Sequence, residues 1–212
     1  MVAAIDFGTT YSGYAFSTLS DFTLDPLKIH TNQAWNAGGR QLLSLKAPTS
    51  LLLNGRKEIV SFDYEAENDY AELALDDKHH DHYYFSRFKM NLYENKNLTE
   101  DMQIEDLTGK SMLAIEIFGL SIQALKDHLL TLLDTRRTGV KCHEIRWVLT
   151  VPAIWPDSAK QFMRKSADRA GIDNSKLVIA LEPEAASIFC QYLPTEKLKG
   201  ASEGFKMAGV GQ

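Results

Sequence analysis

Val2-Ala3-Ala4-Ile5-Asp6-Phe7-Gly8-Thr9-Thr10-Tyr11-Ser12-Gly13-Tyr14-Ala15-Phe16-Ser17 is the stretch on which the reading of this chain turns. Residues 2–6 form a short apolar run closed by an acid, and residues 14–17 alternate as a strand does. Between them, two glycines flank small hydroxyl residues, which predicts a tight turn between two strands with backbone amides free to meet an anion. An aspartate at a strand end can hold hydrated magnesium. Gly8 would let the backbone approach a phosphate whose oxygens accept bonds from Thr9, Thr10 and Tyr11. A plain hairpin turn would also use Gly8. The chain has neither a GxxxxGK[ST] loop nor a GxGxxG segment leading into a helix, which sets aside the Walker and dinucleotide readings.

Outward from this hairpin, residues 31–109 are marked by turn signals at Gly38-Gly39, Pro48 and Asn54-Gly55. Leu51-Leu52-Leu53 reads as a buried strand, and Asn54-Gly55 before Ile59-Val60-Ser61-Phe62 reads as a hairpin. The acidic stretch from Glu65 to His82 reads as a solvated helix face. From Ser111, Ile115, Phe118, Ile122, Leu125, Leu129 and Leu132 recur at spacings of three and four. They predict the longest helix, stopped at Gly139 after Arg136-Arg137. Residues 145–151 predict a strand halted by Pro152. Ser158 and Gln161 predict a capping box for the next helix, and Gly171 its left-handed end. Leu177–Leu181 predicts a strand covered on both faces, and Glu182-Pro183-Glu184 opens a third helix. Helix, strand, helix, strand, helix implies an α/β sheet with helices packed on it, the middle third being a separate subdomain.

The 212 residues carry a formal charge of -5, with 44% hydrophobic and 24% charged residues, an ordinary globular composition that argues against binding a phosphate polymer such as nucleic acid. Cys142 and Cys190 form no CxxC pair, so buried free thiols in a reducing compartment are expected. The N-terminus lacks a signal-peptide pattern. The apolar stretch from Met112 to Leu133 carries Glu116, Lys126, Asp127 and His128, so no membrane span is expected. These features suggest an intracellular, cytoplasmic protein.

Two further segments place polar or proline residues at strand ends, where α/β folds collect ligands: Val148-Leu149-Thr150-Val151-Pro152-Ala153-Ile154-Trp155 and Ala180-Leu181-Glu182-Pro183-Glu184-Ala185-Ala186. Glu182 suits either the orientation of a water or first-turn stabilisation of its helix. Together with Ala4–Ser12, these ordered segments resemble three signatures of the heat shock 70 kDa protein family, most closely its divergent heat shock 70 kDa protein 12 branch. The resemblance covers nearly the whole chain. It implies the N-terminal lobe of an actin-like ATPase, ribonuclease H-like in fold, over residues 1–212, with an inserted α+β subdomain at about 32–109.

The same resemblance implies ATP and magnesium as cofactors and a chaperone-related role in the stress response. Asp6 would meet magnesium through water, Gly8, Thr9, Thr10 and Tyr11 would surround the phosphates, and Glu182 would lie near the attacking water. Lys89, within Phe85-Ser86-Arg87-Phe88-Lys89-Met90, would reach the terminal phosphate, with Arg87 as its rival; the residues alone mark both cations as surface groups. Pro152 would match the family's switch proline, with Lys160 where an arginine is usual. Leu181 and Glu184 depart from the commoner Asn and Thr. No Asp-x-Gly-Gly-Gly-Thr occurs in these 212 residues, so the resemblance implies only the first lobe, with the second lobe and peptide-binding domain expected to be absent and hydrolysis by the chain alone expected to be incomplete. Expected partners are a nucleotide, a protein client or co-chaperone, and a second copy through the exposed lobe face. The alternatives are a non-enzymatic interaction module and a kinase-like member of the same superfamily. His79, His80 and His82 beside Asp76, Asp77 and Asp81 read as a solvated loop rather than a metal site. Asn97-Leu98-Thr99 fits the glycosylation pattern without a signal to deliver it.

Overall fold

The computed structural model describes residues 1–32, 34–37, 40–94 and 101–192. The Gly38-Gly39 turn, the Asn97-Leu98-Thr99 pattern and the tail beyond Tyr192 lie outside the described residues. The first half of the chain holds β1 (Val2–Asp6), β2 (Tyr11–Ser17), α1 (Leu19–Leu24), β3 (His30–Thr31), β4 (Ala34–Ala37), β5 (Arg40–Leu43), β6 (Ala47–Pro48), β7 (Ser50–Leu53), β8 (Ile59–Phe62), α2 (Asp63–Leu75) and β9 (Tyr83–Ser86). There follow α3 (Asn91–Glu94), β10 (Gln103–Glu105), β11 (Ser111–Leu113), α4 (Ala114–Thr135), β12 (Arg146–Val151), α5 (Asp157–Arg169), β13 (Leu177–Leu181) and α6 (Glu182–Gln191).

The architecture is mixed α/β. A five-strand path runs β13-β12-β1-β2-β3, with β6 also paired to β2, and β8-β7-β9, β4-β5 and β10-β11 form small antiparallel sheets. The predicted opening hairpin is present, Asp6 facing Gly13 across the ladder, and β2 begins at Tyr11. Strand β1 runs parallel to β12, and β12 to β13. Parallel strands deliver their carboxyl ends to one edge, so Asp6, Val151 and Leu181 emerge together there.

Along β1 and β12 the buried side chains are Ala3, Ile5, Trp147, Leu149 and Val151, a period of two that points Asp6 and Thr150 to the opposite face. Helix α4 contacts β1 and β2, and α5 packs against α4 and β13. Gly119 lets the two helices close, because a Cβ there would stand 3.2 Å from Arg169 Cβ. The Leu51–Leu53 strand and the hairpin into β8 formed as read, and Leu51, Phe62 and Phe85 join the same core as the main sheet. Most of α2 is solvated, only Asp63 and Ala66 being buried.

Several local expectations are corrected. Helix α4 is the longest among the described residues, but it closes at Arg137, which takes a φ of 53°, with Thr138 N–H donating to Leu133 O; Gly139 lies two residues too late. Its last core residue is Leu133, with Leu132 half-buried. The Ser158/Gln161 capping box does not form: the N-cap is Pro156, whose carbonyl accepts from the amides of Ala159 and Lys160. Gly171 does end α5 with a φ of 78°. Among the described residues β13 is an edge strand, and it is not covered on both faces, Val178 being 47% exposed. Both cysteines are free, but Cys142 is half-buried and Cys190 exposed. No described helix is long and apolar enough to cross a membrane.

Candidate functional site

The turn after β1 is held by a closed ring of hydrogen bonds. Gly8 N–H donates to Ser12 Oγ (3.1 Å), Ser12 Oγ lies 2.7 Å from Thr49 Oγ1, and Thr49 Oγ1 donates to Gly8 O (2.9 Å). A hydroxyl has one proton, so Ser12 must donate to Thr49, and all three groups are mutually satisfied. Thr49 N–H also donates to Thr10 O at 2.9 Å. A Cβ on Gly8 would lie 2.1 Å from Tyr11 O, so this glycine is required by the turn's own closure. Its amide, engaged by Ser12, is not one that faces an anion.

Asp6 closes β1 with both carboxylate oxygens engaged. Thr150 Oγ1, from the neighbouring strand β12, donates to Oδ1 at 2.9 Å, and Lys46 Nζ donates to Oδ2 at 2.5 Å. Thr150 falls within a segment the sequence singles out. Lys46 does not, and nothing in Ser44-Leu45-Lys46 marks it. Its place comes from the pairing of Ala47 with Ser12, a contact between residues far apart in sequence.

Lys89 and Arg87 part company. Arg87, with a φ of 53°, is exposed, and the turn it starts carries Lys89 inward until its side chain is 1% exposed. Lys89 is therefore no surface cation. Its Nζ donates to Phe7 O at 2.5 Å, lies 3.4 Å from Glu182 Oε1 and stands 5.0 Å over the Trp155 ring. Burial pushes the ammonium below its usual lysine range, and the charge of Glu182 opposes that push. Glu182 opens α6 at the end of β13, which serves first-turn stabilisation and the ion pair at once.

Asp6, Gly8, Thr9, Lys46, Lys89 and Glu182 line one cavity of about 320 Å³. Thr10 and Tyr11 instead line a separate polar cavity of about 400 Å³ with Arg87, Tyr64 and Glu67. The second is larger, but the first concentrates two carboxylates and two ammoniums at the strand ends. Glu184 is exposed, Pro152 is buried at the end of β12, and Lys160 pairs with Asp157 at 3.0 Å. In the histidine loop, one side-chain nitrogen or oxygen each of Asp77, His79 and His80 lie within 4.8 Å of one another, with His80 Nε2 3.1 Å from Asp77 Oδ1.

The fold and site define a mixed α/β protein in which the ends of three parallel strands and a glycine turn collect an acid–ammonium cluster. No protein-family model matches the chain. It is homologous to the heat shock 70 kDa proteins 12A and 12B. It is 41% identical over 203 residues to "Heat shock 70 kDa protein 12B" of Homo sapiens, covering 93% of this chain and 29% of that protein. Identity to "Heat shock 70 kDa protein 12A" is 41% over 198 residues for Mus musculus and 40% over 198 residues for Homo sapiens, again 29% of those proteins. The chain thus spans less than a third of the length of the curated relatives it matches.

Proposed function

We propose that this chain is an ATP-binding lobe of a chaperone-related ATPase in the actin-like superfamily, residues 1–212 forming its N-terminal lobe with an insertion at about 32–109. The observation that carries the reading is the buried Lys89 ammonium, held by Phe7 O and Glu182 at the foot of the glycine turn. Burying a lysine amine at a strand-end cavity is costly unless it is paired, which suits a group that meets phosphate oxygens. The residues fit magnesium and a polyphosphate: the carboxylates of Asp6 and Glu182 are hard oxygen donors, and Lys46 and Lys89 supply positive charge.

In this reading Asp6 faces magnesium through water, and the metal, when bound, neutralises phosphate charge. Lys89 and the Thr9 segment hold the phosphates, while Thr10 and Tyr11 line a cavity of their own. Glu182, tethered to Lys89, orients a water. Asp6 and Glu182 side chains are 40% and 39% exposed, so water is poorly excluded and binding with little turnover is expected. A cytoplasmic setting belongs to the same reading. Calorimetric titration with Mg-ATP of the wild type, Asp6→Asn and Lys89→Met tests it; equal heats from all three proteins would remove the site.

A second reading has its own observation. No residue of α6 is buried, and Ile188, Phe189 and Tyr192 are each more than half exposed. An interaction surface for a second copy of the chain would use that face.

A further inference from the structure

Lys46 lies outside all three sequence signatures, yet it makes the closest ion pair at the site, 2.5 Å from Asp6 Oδ2. We propose that Lys46 is a built-in counter-ion of Asp6, which competes with a divalent cation for that carboxylate and so lets the cavity take nucleotide phosphates with little dependence on magnesium. The competition at Asp6 stands on the geometry alone, whereas its consequence for nucleotides rests on the ATP-binding reading above.

The placement is built into the fold. Ser44 Oγ donates to Lys46 O (2.6 Å) and accepts from Lys46 N–H (3.2 Å), fixing the backbone just before β6. Gly13, the ladder partner of Asp6, keeps the crossing open: a Cβ there would stand 2.6 Å from Leu45 O and 3.2 Å from Lys46 Cγ. The Leu45-Lys46 segment therefore runs directly over β2 at the level of Asp6, with no side chain of that strand in between.

The charge arithmetic follows. Thr150 holds Asp6 Oδ1 and Lys46 holds Oδ2, so a hydrated divalent cation must displace the ammonium to gain that oxygen. Two carboxylates and two ammoniums line the cavity, and removing Lys46 would leave an excess acid that draws metal more strongly. Lys46 and Asp6 side chains are 49% and 40% exposed, so the pair can open at low cost. An ammonium has three donors and can hold Asp6 and a phosphate oxygen together, supplying part of the charge that magnesium would otherwise bring.

The test uses the full chain without nucleotide first. Titration with Mn²⁺ alone, read by electron paramagnetic resonance, should show Lys46→Gln binding the ion about tenfold more tightly than the wild type, the order expected for removing one adjacent positive charge. Lys46→Arg should behave as the wild type, and adding Asp6→Asn to Lys46→Gln should abolish the gain. Equal Mn²⁺ affinity in the wild type and Lys46→Gln overturns the proposal. ATP titrations in magnesium and in EDTA then compare the two proteins. The affinity lost on removing magnesium should be about tenfold greater in Lys46→Gln, and equal losses overturn the nucleotide consequence. If no protein binds ATP in either condition, the ATP-binding reading fails, while the Mn²⁺ comparison still decides the competition at Asp6.

Discussion

Lys89 Nζ lies 3.4 Å from Glu182 Oε1 across 93 residues of sequence, and the same ammonium donates to Phe7 O. The contact ties the turn after β1 to the start of α6 through a side chain from the segment after β9. Replacing Lys89 by Met keeps the volume and removes the burden of a buried charge, but leaves Phe7 O without this donor. The expected result is a loss of about 1–3 kcal/mol in chemical denaturation, together with loss of ATP binding. A variant that keeps both wild-type stability and wild-type ATP affinity would show that the lysine is incidental.

Gly8 and Gly13 are needed for different reasons, and alanine separates them. At Gly8 the new Cβ would meet Tyr11 O at 2.1 Å, inside the turn, so Gly8→Ala should cost about 1–3 kcal/mol or more and disorder the Ser12–Thr49 ring. At Gly13 the clash is with Leu45 O at 2.6 Å, which should lift Lys46 from Asp6. Gly13→Ala should then raise Mn²⁺ affinity in the same direction as Lys46→Gln. Unchanged metal affinity in a folded Gly13→Ala protein would break the link between this glycine and the ion pair.

Asp63 supplies a pH dependence of known sign. It opens α2 with a φ of 63°, is buried, and its Oδ1 accepts from Glu65 N–H at 2.9 Å. Burial above all, helped by the charges of Glu65 and Glu67, raises its carboxyl to about 7 from a usual 3.8. With the folded value raised, the folded state holds a proton that the unfolded chain has released. Its contribution is complete below the unfolded value and is lost as pH climbs through the interval to about 7. The slope is at most about 1.4 kcal/mol per pH unit. Asn tolerates the left-handed backbone and still accepts from Glu65, so Asp63→Asn should flatten this part of the curve. Denaturant midpoints from pH 4 to 8 check it, and parallel curves for the two proteins would refute it.

Much of this was readable in the sequence where the signal is local. The hairpin around Gly8, the Asn54-Gly55 turn, the periodicity of Ile115 to Leu129 and the left-handed end at Gly171 each depend on neighbours a few residues away. Asp6, Gly8, Thr9, Lys89 and Glu182 were named from the sequence and meet in one cavity. The errors fall where tertiary contacts decide. Leu177–Leu181 is apolar enough for a buried strand, but strand order puts it at an edge. Ser158 has the chemistry of a cap, but the carbonyl of Pro156 receives the first helical amides. Lys46 was invisible because its role comes from the β2–β6 pairing and the missing side chain of Gly13, neither of which leaves a pattern around residue 46.

Helix α6 offers the last expectation. Ile188, Phe189 and Tyr192 are 58%, 54% and 55% exposed, and Tyr192, at the helix C-cap, lies four residues from Ile188 and three from Phe189, the spacings that make it a surface neighbour of both. Clustered apolar side chains of this size favour association over hydration. The chain should therefore show a weight-average mass that rises with concentration in light scattering, and changing both Ile188 and Phe189 to Glu should hold it at the monomer value. Charges placed on an exposed helix face leave the core intact, so loss of association would not reflect unfolding, and an unchanged thermal midpoint would verify that. A wild-type protein with one constant monomer mass over the whole concentration range would rule out self-association through this face.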